Sequence, residues 1–266
     1  MPQRIILKNA LIGAFAIAFS IMHILPAAKT GESALSILKG GNAANDTSLS
    51  DASLRTSSKV ATALGAFQNV VRPLSHSRAL GDAFNSYFAY KEAHPEQVRK
   101  PFLYFVDYGL PSSSPRGYVF DMDSLKVVDG PFMVAHGRGS AGTRDEIPTR
   151  FSNVPNSYAT SLGLYLAQET YGFRGRAGGR TYKSIGLKLE GVSEGYNDNA
   201  RARKVVAHGA PYVTPTRAGR SEGCPAIEQS RARELLPILA NGAMVFLFAP
   251  NEQWMKSDPW VTASAD

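Results

Sequence analysis

The sequence predicts a mainly β fold with some α structure, a β-sandwich or barrel preceded by an N-terminal helical extension. Two patterns predict it. From Pro101 onward, short β-branched or aromatic runs alternate with Gly, Pro, Asp and Ser turns, whereas between Val60 and Ala93 the apolar residues recur at helical spacing. The irregular, Gly-rich connections argue for a sandwich or barrel over a sheet of repeated β-α-β units. Composition supplies the core: 44% of the 266 residues are hydrophobic and only 19% charged, which excludes a disordered or collagenous chain.

At the N-terminus Arg4 and Lys8 precede the apolar run "ALIGAFAIAFSIMHIL" at 10–25, with Pro26, Ala27 and Ala28 behind it. A basic start, an apolar middle and small residues predict an export signal over 1–28, and with it a periplasmic or cell-envelope location. The run is short for a bilayer span of about 20 residues and carries His23, so an N-terminal anchor ranks second. Left uncleaved, this segment would tether the protein to a membrane. Residues 29–58, rich in Ser, Ala, Asn and Gly and without sustained periodicity, predict a flexible linker.

The helical extension covers 59–99. Val60, Ala63, Leu64, Phe67 and Val71 share one face, as do Leu80, Phe84, Tyr87 and Phe88, and His94-Pro95 stops the second run. Within 100–250 the strand candidates are "FLYFVDYG", "RGYVFDM", "LKVVDG", "FMVAHG", "KSIGLKLEG", "KVVAHGA" and "AMVFLFA". One helix interrupts them, with Ala232, Leu235, Leu236 and Leu239 on one face, Gly242 as a stop and Pro237 predicting a kink or early end. Residues 251–266 read as a C-terminal tail.

The chain carries a formal charge of +7, and loss of 1–28 would remove Arg4 and Lys8 and no acid, leaving 27 basic and 22 acidic residues. Such a modest excess suits anionic surroundings such as wall polymers. Nucleic acid is not expected as a partner, because the basic residues are dispersed and their one cluster, "RARK" at 201–204, reads as a solvated turn.

Cys224 is the only cysteine, so an intramolecular disulfide is excluded. It stands in "GRSEGCPA", a Gly-containing turn ahead of a helix, where unpaired backbone N–H groups can lower a thiol pKa or hold an oxyanion. A reactive thiol also needs a base. Of five histidines, only His136 and His208 end apolar strands, in the near-copies "MVAHGRGS" and "VVAHGAPY", where a sheet would present an imidazole to a cleft.

His208-Gly209, fourteen further residues and then Cys224 within "SEGC" resemble the H-G-x(n)-[ST]-x-G-C signature of the L,D-transpeptidase catalytic-domain family, often called YkuD-like. The phrases "VAHGRGSAG", "FSNVPNSYATSLGLY", "GLKLEGVSEGYNDNARAR" and "GRSEGCPAI" extend the resemblance to its murein branch over roughly residues 100–250. The resemblance implies an L,D-transpeptidase-like fold and acyl transfer on peptidoglycan stem peptides without a cofactor. Cys224 would be the nucleophile and His208 its base, steered by the Gly209 carbonyl, with the amides of Gly223 and Cys224 in an oxyanion hole. Ser221 would shape the turn. His136, by its place on a cleft-lining strand, would bind substrate or support the site. Many members have His before the Gly-Cys and an Arg after it, whereas this chain has Glu222, Pro225 and Ala226. Arg220 and Arg138 are the candidates to replace that arginine in recognising a substrate carboxylate.

Three rivals stand beside this reading. With water as acceptor the same site would be an L,D-carboxypeptidase. An inactive peptidoglycan-binding module would not need an intact His208–Cys224 pair. A zinc hydrolase would have to gather His136, His208 and Cys224 without an H-E-x-x-H or C-x-x-C motif, so no metal is expected.

Overall fold

In a computed structural model of the chain, residues 43–142 and 147–263 are described. The export segment expected at 1–28 and the first part of the linker lie outside the described residues. None of the described helices is long and apolar enough to cross a membrane.

Helix α1 (Ala43–Phe67) begins well before the helical periodicity does, so residues 43–58, expected as linker, are helical. Its contact with the body runs from Thr56 through Val60, Ala63, Leu64 and Phe67. The preceding residues carry no sustained apolar repeat in the sequence and so hold no helical pattern to read. Helix α2 (Ala79–Ala93) stops where His94-Pro95 predicted. The two helices are fixed by a ring cluster: Phe67 lies 5.5 Å from Phe84 and 4.6 Å from Phe120 on the sheet, centroid to centroid. Burying each such ring contributes about 1.5–3 kcal/mol.

The body is a mixed eight-stranded sheet in the order β11-β7-β6-β5-β12-β1-β2-β3. Its strands are β1 (Phe102–Asp107), β2 (Gly117–Asp121), β3 (Lys126–Phe132), β5 (Gly163–Ala177), β6 (Arg180–Gly191), β7 (Val206–Gly209), β11 (Ala226–Ile227) and β12 (Met244–Phe248). Within this sheet only β1·β12 and β7·β11 pair in parallel. The two edges meet: the chain leaving β3 reaches Ala135, whose amide donates to Ala226 O on β11 at 2.8 Å. That bridge closes the sheet into the barrel-like form the sequence predicted. Two short ribbons, β4 (His136–Gly137) with β10 (Arg220–Ser221) and β8 (Val213–Thr214) with β9 (Arg217–Ala218), complete the β structure among the described residues.

Strand β5 was not expected. Its outer half, "ETYGFRGRA", alternates half-buried and exposed residues with two glycines and two arginines, so it reads as loop although it pairs with β6 from Tyr165 to Ala177. "LKVVDG" and "FMVAHG" were expected as separate strands, whereas β3 crosses their junction and only His136–Gly137 of the second remains as β4. Helix α3 (Gln229–Leu239) continues past Pro237 for two residues. The C-terminal segment is packed rather than loose: Asn251 caps α4 (Glu252–Met255), Trp254 and Met255 are buried, and the indole of Trp254 donates to Asp258 Oδ2 at 2.8 Å.

Candidate active site

The parallel register of β11 on β7 sets Ala226 opposite His208, and counting back two residues brings Cys224 beside Val206. The His208 amide donates to Pro225 O at 3.1 Å, which ties β7 to the residue following the thiol. The half-buried Cys224 turns its sulfur toward the start of β7, where its S–H donates to Lys204 O at 3.9 Å. No hydrogen bond joins Cys224 and His208 in this rotamer. The imidazole of His208 is 8% exposed, and its Nδ1 lies 3.2 Å from Gly209 O. A carbonyl can only accept, so the proton sits on Nδ1 and the lone pair on Nε2.

The turn before the thiol is braced by Ser221. Its hydroxyl donates to Cys224 O at 2.6 Å and accepts from the Gly223 amide at 3.2 Å. The Gly223 amide is thus occupied in this state, whereas the Cys224 amide has no hydrogen-bond acceptor among the described residues. Gly223 has φ +119°, a region that favours glycine, and a Cβ there would stand 2.9 Å from Ala159 O.

Behind the turn runs the second His-Gly pair. His136 is fully buried, pairs with Arg220 through β4·β10, and accepts from Arg116 Nη2 at Nδ1, 3.0 Å away. Because arginine only donates, His136 is protonated at Nε2, and that atom has no hydrogen-bond partner. Arg116 is fully buried too; it spans His136, Val134 O and Leu110 O, with its guanidinium over the Tyr108 ring. Gly137 donates to Thr160 Oγ1 at 2.9 Å and packs against Gly223. The Ser/Asn-rich segment at 152–161 therefore lies over the Gly223–Cys224 turn.

Aromatic rings form the opposite wall. Phe173 on β5 meets His208 edge-on at 5.6 Å and Tyr182 on β6 at 6.0 Å, and Tyr212 stands 6.4 Å from His208. A cavity of about 380 Å³ is lined by Lys204, whose carbonyl accepts from the thiol, and by Val206, Tyr171, Lys188, Glu190 and Arg201.

Electrostatics favour an uncharged resting pair. Burial pushes the Cys224 thiol up, with Glu222 adding to this and the Val206 amide and Arg203 opposing it. Burial also pushes the His208 imidazole down, against the hydrogen bond to Gly209. His136 is lowered to about 3 by burial and then by the Arg116 and Arg220 charges, so it is neutral at working pH.

The sequence profile of the L,D-transpeptidase catalytic domain matches residues 74–248. The chain belongs to this family. Nothing among curated proteins matches it. Solved L,D-transpeptidases are similar over part of the chain. That of Mycobacterium smegmatis is 12% identical with a TM-score of 0.34, covering 56% of this chain and 59% of its own. That of Stackebrandtia nassauensis is 15% identical with a TM-score of 0.34, covering 65% and 67%. L,D-transpeptidase 3 of Mycobacterium tuberculosis is 12% identical with a TM-score of 0.32, covering 56% and 61%. The chain thus spans about six-tenths of the length of the first of these relatives.

For this L,D-transpeptidase-family domain, Cys224, His208, Gly209, Gly223 and Ser221 are gathered at one turn-and-strand junction. Arg138 lies at its rim, stacked 3.6 Å over the Tyr158 ring and 3.8 Å from Glu222; Arg220 donates to Gly142 O at 2.8 Å. His136 sits behind the turn, where its buried ring meets Arg116 and not the cleft surface. No group of three or more His, Cys, Asp or Glu side chains among the described residues is arranged to hold a metal ion. Two residues were missed in the sequence. Arg116 carried no local signal. Arg203 lay in the "RARK" cluster expected as a solvated turn but is half-buried against the turn.

Proposed function

We propose that this protein is a cysteine-dependent L,D-transpeptidase acting on peptidoglycan stem peptides outside the cytoplasm. The observation that supports the reading is the pairing of β7 with β11, which sets Ala226, two residues after the thiol, opposite His208 and so holds the lone cysteine and a buried imidazole on neighbouring strands. Rotation of Cys224 about χ1 would move the sulfur from Lys204 O toward that imidazole.

In the proposed reaction His208 Nε2 takes the thiol proton and the thiolate attacks the carbonyl of the third residue of a tetrapeptide stem. The Cys224 amide stabilises the oxyanion; if Ser221 Oγ releases the Gly223 amide, that donor joins it. Collapse passes the proton to the departing D-alanine and leaves a thioester on Cys224. An amine of a second stem, deprotonated by His208, resolves the thioester into a cross-link and restores the thiol. The thioester retains the energy of the cleaved amide where ATP is not at hand. His136 would act as support for the turn, and Arg138 and Arg220 would meet substrate carboxylates at the rim.

The test is digestion of purified peptidoglycan with the native chain and its Cys224→Ala variant, read by mass spectrometry of the muropeptides. Cysteine-dependent release of D-alanine together with new cross-links supports the reading. Release with water as the only acceptor makes the enzyme an L,D-carboxypeptidase, and no release favours a binding module.

A further inference from the structure

Arg203 has the contacts of a clamp. Its Nη1 donates to Ser152 O at 2.7 Å and Ser161 Oγ at 3.2 Å, and its Nη2 to Ala159 O at 2.7 Å and Ser157 Oγ at 3.3 Å. Four acceptors on one segment hold residues 152–161 in place. That segment meets the nucleophile turn directly: a Cβ on Gly223 would lie 2.9 Å from the same Ala159 oxygen and 3.5 Å from Arg203 Nη2. On the other side Arg203 is fixed by chain connection to Lys204, whose carbonyl accepts from the thiol.

The charge is unusual in what it lacks. A half-buried guanidinium generally pairs with a carboxylate, yet among the described residues no carboxylate lies within ion-pair distance of Arg203, and all four of its acceptors are neutral oxygens. A cation in this position favours whatever negative charge develops beside it.

We propose that Arg203 positions the nucleophile, clamping the 152–161 segment onto the Gly223–Cys224 turn and presenting an unpaired cation to the thiolate as it forms. The field of Arg203 on the thiol acts in that direction, and burial and Glu222 oppose it. The other titratable or charged groups around the sulfur are His208 and Lys204 from β7 and its approach, Tyr171 and Tyr182 from the β5–β6 ribbon, Tyr212, and the buried Tyr108 and Tyr165 beneath.

The role rests on the transpeptidase reading only for its kinetic part. In the full chain, Arg203→Met and Arg203→Lys are compared with native protein by the pH dependence of iodoacetamide reaction at Cys224, by kcat and KM on a tetrapeptide donor, and by thermal unfolding. Arg203→Met is expected to move the alkylation midpoint to higher pH and to lower kcat about 10–100-fold with KM little changed, the cost of a displaced nucleophile. Arg203→Lys is expected to keep the midpoint near native while kcat still falls, because one ammonium cannot span four acceptors. An unmoved midpoint in a folded Arg203→Met protein overturns the proposal, as does full native kcat in Arg203→Lys. If the native chain forms no thioester or cross-link while the midpoint still moves, the reaction assignment fails and the role of Arg203 on the thiol stands.

Discussion

Gly137 and Gly223 are in contact beside Cys224: a Cβ on Gly137 would stand 2.7 Å from the Gly223 Cα and collide with the Tyr158 carbonyl. The glycine of the first His-Gly phrase is therefore the surface on which the turn of the Cys224 motif rests. Gly137→Ala should push the turn outward, costing about 1–3 kcal/mol of stability by overpacking. It should cost activity more than its stability loss implies, since the displaced element carries the thiol. Denaturant unfolding and thioester formation measured on the same preparation check this, and native acylation with normal stability would show that the turn has room to move.

The roles proposed for the two histidines predict different kinetics. If His208 is the base of the proposed reaction, His208→Ala should lower acylation by about 10²–10⁴-fold, as for a lost general base. His136→Asn should act mainly on stability and turnover together, because its ring meets Arg116 behind the turn. Stopped-flow acylation of both variants separates the two roles; equal losses with equal stability would contradict them.

The site was legible in the sequence where chemistry has a local signature. The lone cysteine in a Gly-containing turn and the histidine ending an apolar strand are written in "SEGC" and "VVAHG", and the β7·β11 register brings those two phrases together. What supports them was not legible. Arg116 lies between a turn and a strand that reads like any other, and its importance arises only when Val134, Leu110 and His136 converge on it. Strand β5 escaped because its ribbon half is exposed on one face, so that Arg174 and Arg176 fill positions where a core strand would alternate with apolar residues. Helix α1 escaped over 43–58 because "AANDTSLSDASLRTSS" carries no sustained apolar repeat at helical spacing.

The pH dependence of the thiol follows from its surroundings. Burial disfavours the thiolate and the imidazolium alike, raising Cys224 and lowering His208, so the resting pair is neutral. Alkylation of the folded chain should have its midpoint at higher pH than alkylation of the urea-unfolded chain. Since the sequence holds one cysteine, the readout belongs to Cys224 alone. A folded-state midpoint below the unfolded one would mean a preformed thiolate–imidazolium pair.

His136 gives a stability prediction with a fixed sign. Its imidazole falls from an ordinary value of 6.5 to about 3 in the folded state, through burial first and then the charges of Arg116 and Arg220. Between those values the unfolded chain holds a proton that the folded chain does not, so unfolding takes up protons and stability rises with pH. Acidification from 6.5 toward 3 should therefore destabilise the protein, by at most about 1.4 kcal/mol per pH unit from this one group. Buried carboxylates act the other way over part of the range: Asp82, raised by burial to about 6, favours the folded state as it takes up its proton. The net slope alone is consequently ambiguous, and the variant resolves it. His136→Asn removes the titrating group and should flatten the loss of stability on acidification relative to native protein, even though it starts less stable at neutral pH with Arg116 short of an acceptor. Urea unfolding of both proteins across this pH range supplies the comparison, and parallel curves would show that His136 keeps an ordinary pKa despite its burial.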